Sequence, residues 1–270
     1  MSTTFLSVDI RDRVATLTLT NPPLNAVTLG MTRELGAVLD RLAVDPEVGA
    51  IVLTGAGGRA FCCGSDIKEF PGLVAEGGIV SRKLATENAV YGQVAHFPKP
   101  TVAAIERLAL GGGLELASGC DLIVASADAK LGLPEVKLGG FPGSGGTVRV
   151  TRRIGVGRAA ELMLLGDPIG AEQALAWGLI NRIAAPGHVL DEAQALAGRM
   201  ARGPAQAMFA CKRALRDAGD LPEEAAIENS LRLSEALSRT SSFTEGVTAF
   251  IEKRPPAFGD RLDTSVFDRV

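Results

Sequence analysis

Short apolar runs of strand length alternate with segments of helical period through the first 155 or so residues, and this alternation restricts the fold more than any other feature. Val14-Ala-Thr-Leu-Thr-Leu-Thr20 alternates apolar residues with Thr, the period-2 pattern of a half-buried strand. Asn21-Pro-Pro-Leu-Asn25 breaks it. From Thr28 the period lengthens, with Met31, Leu35, Val38, Leu39 and Leu42 on one helical face until Asp45-Pro46. Ala50–Thr54, Thr101–Ile105 and Asp121–Ala125 read as buried strands, and a helix is expected over 79–95 before the Pro98-Lys-Pro100 stop. Strands alternating with helices predict an α/β body with largely parallel pairing. Beyond residue 155 the strand signals fade. Segments near 157–165, 171–177, 188–202, 204–218, 222–239 and 243–253 carry helical period.

Composition narrows the function classes. The formal charge of −3 and the lack of any Lys/Arg run argue against a nucleic-acid surface. No apolar stretch reaches the roughly 18 residues of a membrane span, and the start Met1–Val8 lacks the basic and apolar regions of a secretory signal. The four cysteines, at 62, 63, 120 and 211, form no C-x-x-C pair. Free, mostly buried thiols in a reducing cytoplasm are the expectation. Aromatics make up only 4% of the chain, so Ala, Val, Leu and Ile must build its core.

The chemistry concentrates in Leu108-Ala-Leu-Gly-Gly-Gly-Leu-Glu-Leu-Ala-Ser118. Three glycines let the backbone come close to a ligand, and if they open a helix their N–H groups lie at the positive end of its dipole. Such donors suit an oxyanion hole. Glu115 follows between Leu114 and Leu116, where an ionised carboxylate is costly unless it is paired or hydrogen-bonded. Its plain reading, a surface glutamate of an amphipathic helix, sits badly with those flanks. Twenty residues on, Glu135 follows Pro134 and precedes the glycine-rich Gly139–Gly146 stretch. Taken alone it is a helix-start acid. Two neighbouring carboxyls do not both ionise freely, so such a pair exchanges protons near neutrality. Gly64 and Ser65, within Arg59-Ala-Phe-Cys-Cys-Gly-Ser-Asp-Ile-Lys-Glu69, offer a second N–H donor, and Lys68 a charge for a phosphate; a glycine turn ending a strand explains that segment equally well.

Other motifs compete. Gly55-Ala-Gly-Gly-Arg-Ala60 spells G-x-G-x-x-A, but Phe61-Cys-Cys-Gly-Ser-Asp66 follows in place of the long helix that a dinucleotide site requires. The 143–146 loop lacks G-K-[ST], and Pro142 stands where a nucleophile elbow has its first glycine. His96 and His188 read as loop or helix-end residues.

Together, Asn25-Ala26, Ala60–Lys68, Ala109-Leu-Gly-Gly-Gly-Leu-Glu115-Leu and Leu133-Pro-Glu135 resemble the crotonase (enoyl-CoA hydratase/isomerase) family in order and approximate spacing. Pro142–Thr147, Ala171–Ile180 and Glu245–Phe250 fit it too, so the resemblance covers nearly the whole chain. It implies a spiral core of repeated ββα units over 1–200 and a helical oligomerisation region over 201–270, giving a homotrimer or a dimer of trimers. It implies an acyl-CoA substrate, an oxyanion hole from the backbone N–H groups of Ser65 and Gly112, and a water held by Glu115 and Glu135, with no metal or redox cofactor. Leu24, Ala26, Gly64, Ser65, Asp66, Ile67 and Lys68 would line the CoA site, with Phe250 and Lys253 approaching from a neighbouring subunit. The chain departs from the usual pattern in carrying Ile105-Glu-Arg-Leu108 before the glycines and Ser65 for the commoner Ala. Glu106 and Arg107 are expected to form a local ion pair of little energetic value. Glu at both catalytic positions favours a hydratase over an isomerase that works with one carboxylate. A specialised hydratase (for instance of crotonobetainyl-CoA) and a non-catalytic or RNA-binding relative are the remaining alternatives.

Overall fold

The computed structural model describes residues 5–268, and among them nine strands form two sheets. Strands β1 (Leu6–Arg11) and β2 (Val14–Leu19) lead into α1 (Leu29–Val44), and β3 (Ala50–Gly55) is followed by a short α2 (Phe70–Ala75) and α3 (Ala85–Ala95). Next, β4 (Thr101–Ile105) and β5 (Leu108–Leu110) precede α4 (Gly112–Ser118), as β6 (Leu122–Ser126) and β7 (Lys130–Gly132) precede α5 (Gly146–Leu165). Then come β8 (Ile169–Gly170), α6 (Ala171–Trp177), β9 (Arg182–Ala184) and α7 (Val189–Ala201). The chain continues through α8 (Ala205–Asp220), α9 (Glu223–Ser238) and α10 (Ser241–Glu252).

The large sheet has the order β1-β2-β3-β4-β6-β9, antiparallel only between β1 and β2. The small sheet is β5-β7-β8. Each of the β4–β5–α4 and β6–β7–α5 units therefore gives its first strand to one sheet and its second to the other. This is the ββα repeat of the expected α/β spiral core.

The strand residues alternate between two apolar layers, as a period of two requires. Ile51, Leu53, Ala103, Ile105, Ile123 and Ala125 face the central core with α1, α3 and α4. Ala50, Val52, Val102, Ala104 and Val124 face α7 through Val189, Ala193, Leu196 and Ala197. Covering both faces suits a parallel sheet. It also corrects the half-buried reading of β2: Thr16 is buried, and its hydroxyl accepts a hydrogen bond from Gln194 on α7 (3.1 Å). A third, small cluster of Ala210, Leu233, Ala236 and Phe267 belongs to α8, α9 and the turn after α10.

Most helices match the sequence period, and α1 starts where Thr28 caps it by accepting from the Met31 N–H. Two expectations change. The helix expected near 157–165 begins at Gly146, because Gly155 adopts φ +78 and divides α5 into two parts. The single helix expected over 79–95 is instead a turn of π-helix (Ile79–Leu84) running into α3.

Smaller corrections follow from packing. Glu106 accepts from the Gly187 N–H and Arg107 faces Asp128 (3.8 Å), so the expected local pair does not form; Arg107 has φ +61 and turns away. Cys62 and Cys120 are buried, whereas Cys63 is half-buried and Cys211 is exposed on the outer face of α8. No helix among the described residues is long and apolar enough to cross a membrane.

Candidate active site

The triple glycine is where the two sheets and the central core meet. Beyond β5 the chain turns at Gly111 (φ +51) straight into α4. A Cβ on Gly113 would lie 2.3 Å from the Cys62 carbonyl oxygen, so only glycine lets α4 seat against that strand-like segment. The segment itself is pinned by Leu110 N–H donating to the Cys62 carbonyl and Cys62 N–H donating to Leu108. A Cβ on Gly112 would lie 3.5 Å from the Ser65 nitrogen, and one on Gly111 would lie 3.0 Å from Glu135 Oε1. The three glycines thus bring α4 against three different neighbours, Cys62, Ser65 and Glu135.

Glu115 lies in the first turns of α4 and is only 3% exposed. Its Oε1 accepts from the N–H groups of Ser144 and Gly146, both at 2.8 Å, at the positive start of α5. Burial nevertheless pushes its carboxyl up to about 7; the two N–H groups pull the other way, and the charges of Glu135 and Glu87 add to the rise. Glu135 sits in the tight turn Pro134–Leu138 after β7. Its Oε2 is buried without a partner among the described residues, and burial raises its carboxyl too. Both carboxyls thus stand above the ordinary range, and the charge of Glu135 is felt at Glu115.

The 64–66 segment and the start of α4 carry the donors. Gly64 (φ +100) turns the chain so that Ser65 pairs with Val27, with Val27 N–H donating to Gly64 and Asp66 N–H donating to Val27. The N–H groups of Ser65 and Gly112 donate to no protein acceptor among the described residues. A Cβ on Gly64 would lie 3.3 Å from the Gly112 nitrogen, which places the two donors side by side. The arrangement can polarise one carbonyl oxygen while two carboxyls handle protons.

The remaining residues predicted from sequence divide in two. Leu24 and Ala26 flank buried Asn25, and the Leu24 carbonyl accepts from the Cys63 N–H, so this loop lies beside the 62–66 segment. Asp66 caps the turn Ile67–Glu69 by accepting from the Lys68 N–H, leaving Ile67 and Lys68 exposed. Phe250 (86% exposed) and Lys253 stand apart at the end of α10, which packs on α9. Sequence reasoning missed Lys83, Glu87, Tyr91 and Ser144. All four are buried, and Ser144 alone adjoins a feature, the glycine-rich loop, that drew attention. The i, i+4, i+8 spacing of the other three is the available signal, and it normally marks a solvated helix face.

The enoyl-CoA hydratase/isomerase family model matches residues 9–261. The chain belongs to this family. It is 39% identical to a probable enoyl-CoA hydratase of Rhizobium meliloti (strain 1021), covering 97% of this chain and 100% of that one. It is 35% identical to a 2,3-dehydroadipyl-CoA hydratase of Escherichia coli (strain K12), over 95% and 99% of the two chains. The crystal structure of an enoyl-CoA hydratase from Bacillus anthracis superposes with a TM-score of 0.90 at 33% identity, covering 94% of this chain and 99% of that one. The two-sheet arrangement is thus the crotonase fold. Within this enoyl-CoA hydratase/isomerase chain, the cluster of Gly111, Glu115, Glu135 and Ser65 is the candidate active site.

Proposed function

We propose that the chain is an enoyl-CoA hydratase, a hydro-lyase that adds water reversibly across a trans-2-enoyl-CoA to give a 3-hydroxyacyl-CoA. The observation that carries the reading is a buried carboxyl, Glu115, and a half-buried one, Glu135, both of raised pKa, beside two unengaged backbone N–H groups. The thioester oxygen would accept from Ser65 and Gly112, which stabilises the enolate-like state. Ionised Glu115 takes a proton from the water whose oxygen bonds to the β carbon. Protonated Glu135 gives its proton to the α carbon. A proton returned from Glu115 to Glu135 through solvent resets the pair. Leu24, Ala26 and Gly64–Lys68 would hold the CoA moiety, with Phe250 and Lys253 reaching it across a trimer contact. No redox or metal step enters this chemistry. Two glutamates support hydration over double-bond migration, which works with one carboxylate.

Loss of the thioester-conjugated absorbance of crotonyl-CoA measures the reaction. Glu115→Gln and Glu135→Gln should each lower kcat on the order of a hundredfold or more. Full hydratase activity in both variants would sink the mechanism.

A further inference from the structure

Lys83, Glu87 and Tyr91 recur every four residues, so they share one helix face, and all three side chains are fully buried. Lys83 lies in the turn of π-helix at Ile79–Leu84, a distortion that often marks functional sites, and Glu87 and Tyr91 lie in α3 directly after it. Lys83 Nζ donates to the Val27 carbonyl (3.0 Å) and to Glu69 Oε2 (2.7 Å), and it lies 3.3 Å from Glu87 Oε1. Glu69 in turn accepts from the Leu29 N–H at the start of α1. Glu87 Oε1 accepts from the Ser65 hydroxyl (2.8 Å), and Glu87 Oε2 accepts from the Ser144 hydroxyl (2.7 Å).

One ammonium serves two carboxylates here; Lys83 and Glu87 are fully buried, while the Glu69 side chain is 30% exposed. Buried ions of this kind add little net stability compared with apolar packing, so stability alone does not account for them. Position does. Ser65 carries one of the two unengaged N–H donors, and the Ser144 N–H holds the Glu115 carboxylate. Both serines end on the two oxygens of the same side chain.

We infer that Glu87, with Lys83 as its counter-charge, is a positioning residue that locks the oxyanion wall at Ser65 to the loop at Ser144 that aims Glu115. The inference rests on the hydratase reading of the site. Glu87 does not touch substrate. It sets the separation between the place where the carbonyl is polarised and the place where the proton moves, and errors of that kind are costly to a reaction needing both at once. Charge follows from the same geometry. Glu115 is faced by Glu87 and Tyr91 from α3, Glu135 from the turn after β7 and Arg149 from α5, with the two N–H groups at the α5 start. Removing the Glu87 charge eases ionisation of Glu115.

The test compares wild type with Glu87→Gln, Ser65→Ala and Ser144→Ala for crotonyl-CoA hydration, and for binding of acetoacetyl-CoA read by its enolate absorbance. Glu87→Gln should lower kcat roughly ten- to a hundredfold with little change in KM. It should also move the acid limb of the pH profile to lower pH and weaken the enolate signal. Each serine variant should lose less, and should lose almost nothing more in the Glu87→Gln background, because the effects share one carboxylate. A purely structural Glu87 would lower the melting temperature while kcat, pH limb and enolate signal stay put and the serine effects add, and that result overturns the inference. If Glu87→Gln does not fold, the serine variants decide: wild-type kcat and enolate signal in both overturn it. A wild type that polarises acetoacetyl-CoA but hydrates no enoyl-CoA removes the hydratase reading, and a weakened enolate signal in Glu87→Gln then still supports the lock. A wild type that does neither overturns both.

Discussion

Glu115 accepts two hydrogen bonds at a helix start, which favour its ionised form, yet burial wins and its carboxyl titrates at about 7. A carboxyl raised in the folded state contributes stability that is full below its unfolded value and is lost as pH rises through the folded one. The window here runs from the ordinary 4.5 up to about 7. Glu115→Gln keeps an acceptor for both N–H groups but carries no charge to desolvate. At pH 8 the variant should be more stable than wild type by on the order of 2 kcal/mol, melting a few degrees higher, with the difference gone near pH 5. Thermal denaturation at the two pH values checks this; an equal difference at both would refute the titration. Gly146 tests the same carboxylate sterically. A Cβ there would lie 2.8 Å from Glu115 Cγ, so Gly146→Ala should lower kcat at least about tenfold by displacing Glu115, with a smaller effect on KM. Steady-state kinetics with crotonyl-CoA measures it.

At the scale of elements, the sequence was most informative where a cap or a stop accompanied the period. Thr28 and the Asp45-Pro46 break bound α1, and Gly178 at φ +82 ends α6. Period alone misjudged β2, because its Thr face is covered by α7 from nearly 180 residues away, a contact that strand alternation does not encode. Interior glycine hid the first half of α5 for a related reason: a helix that breaks at Gly155 and resumes looks like two short segments. The site was legible in proportion to its local context. Glu115 stood out through its glycines and leucines, whereas Glu135 gained meaning only from the whole-chain resemblance. Glu87 was invisible, since a Lys–Glu pair at i, i+4 is ordinary on a surface and only chain closure buries it. The seating of α4 offers an element-scale test. Gly113→Ala places Cβ against the backbone carbonyl of Cys62 rather than a flexible side chain, so a loss above about 2 kcal/mol, or no folded product, is expected in denaturant unfolding.

On the scale of the whole molecule, α9 and α10 present Ile227, Leu231, Phe243, Val247, Phe250 and Ile251 to solvent. Large apolar side chains are exposed elsewhere too, among them Val44, Phe141, Val156 and Leu164, but this group gathers on two helices that pack on one another, as a contact surface between subunits would require. The proposed trimer covers them. Sedimentation equilibrium should return three or six times the 28.0 kDa chain mass, and Phe250→Asp with Ile251→Asp should reduce it towards one. If Phe250 and Lys253 also reach CoA across that contact, the same variants should raise KM more than they lower kcat. An unchanged mass in the double variant would place the interface elsewhere.

The tethering of Glu115 bears on handedness. Its Oε1 is held by two N–H groups, and Oε2 carries no hydrogen bond to the protein among the described residues, so in the proposed mechanism Oε2 is the oxygen that would draw the proton from water. If the carbonyl is held against Ser65 and Gly112 as proposed, the enoyl plane would show that oxygen a single face. The hydroxyl would then be delivered from one side only, and the 3-hydroxyacyl product should be one enantiomer on chiral chromatography.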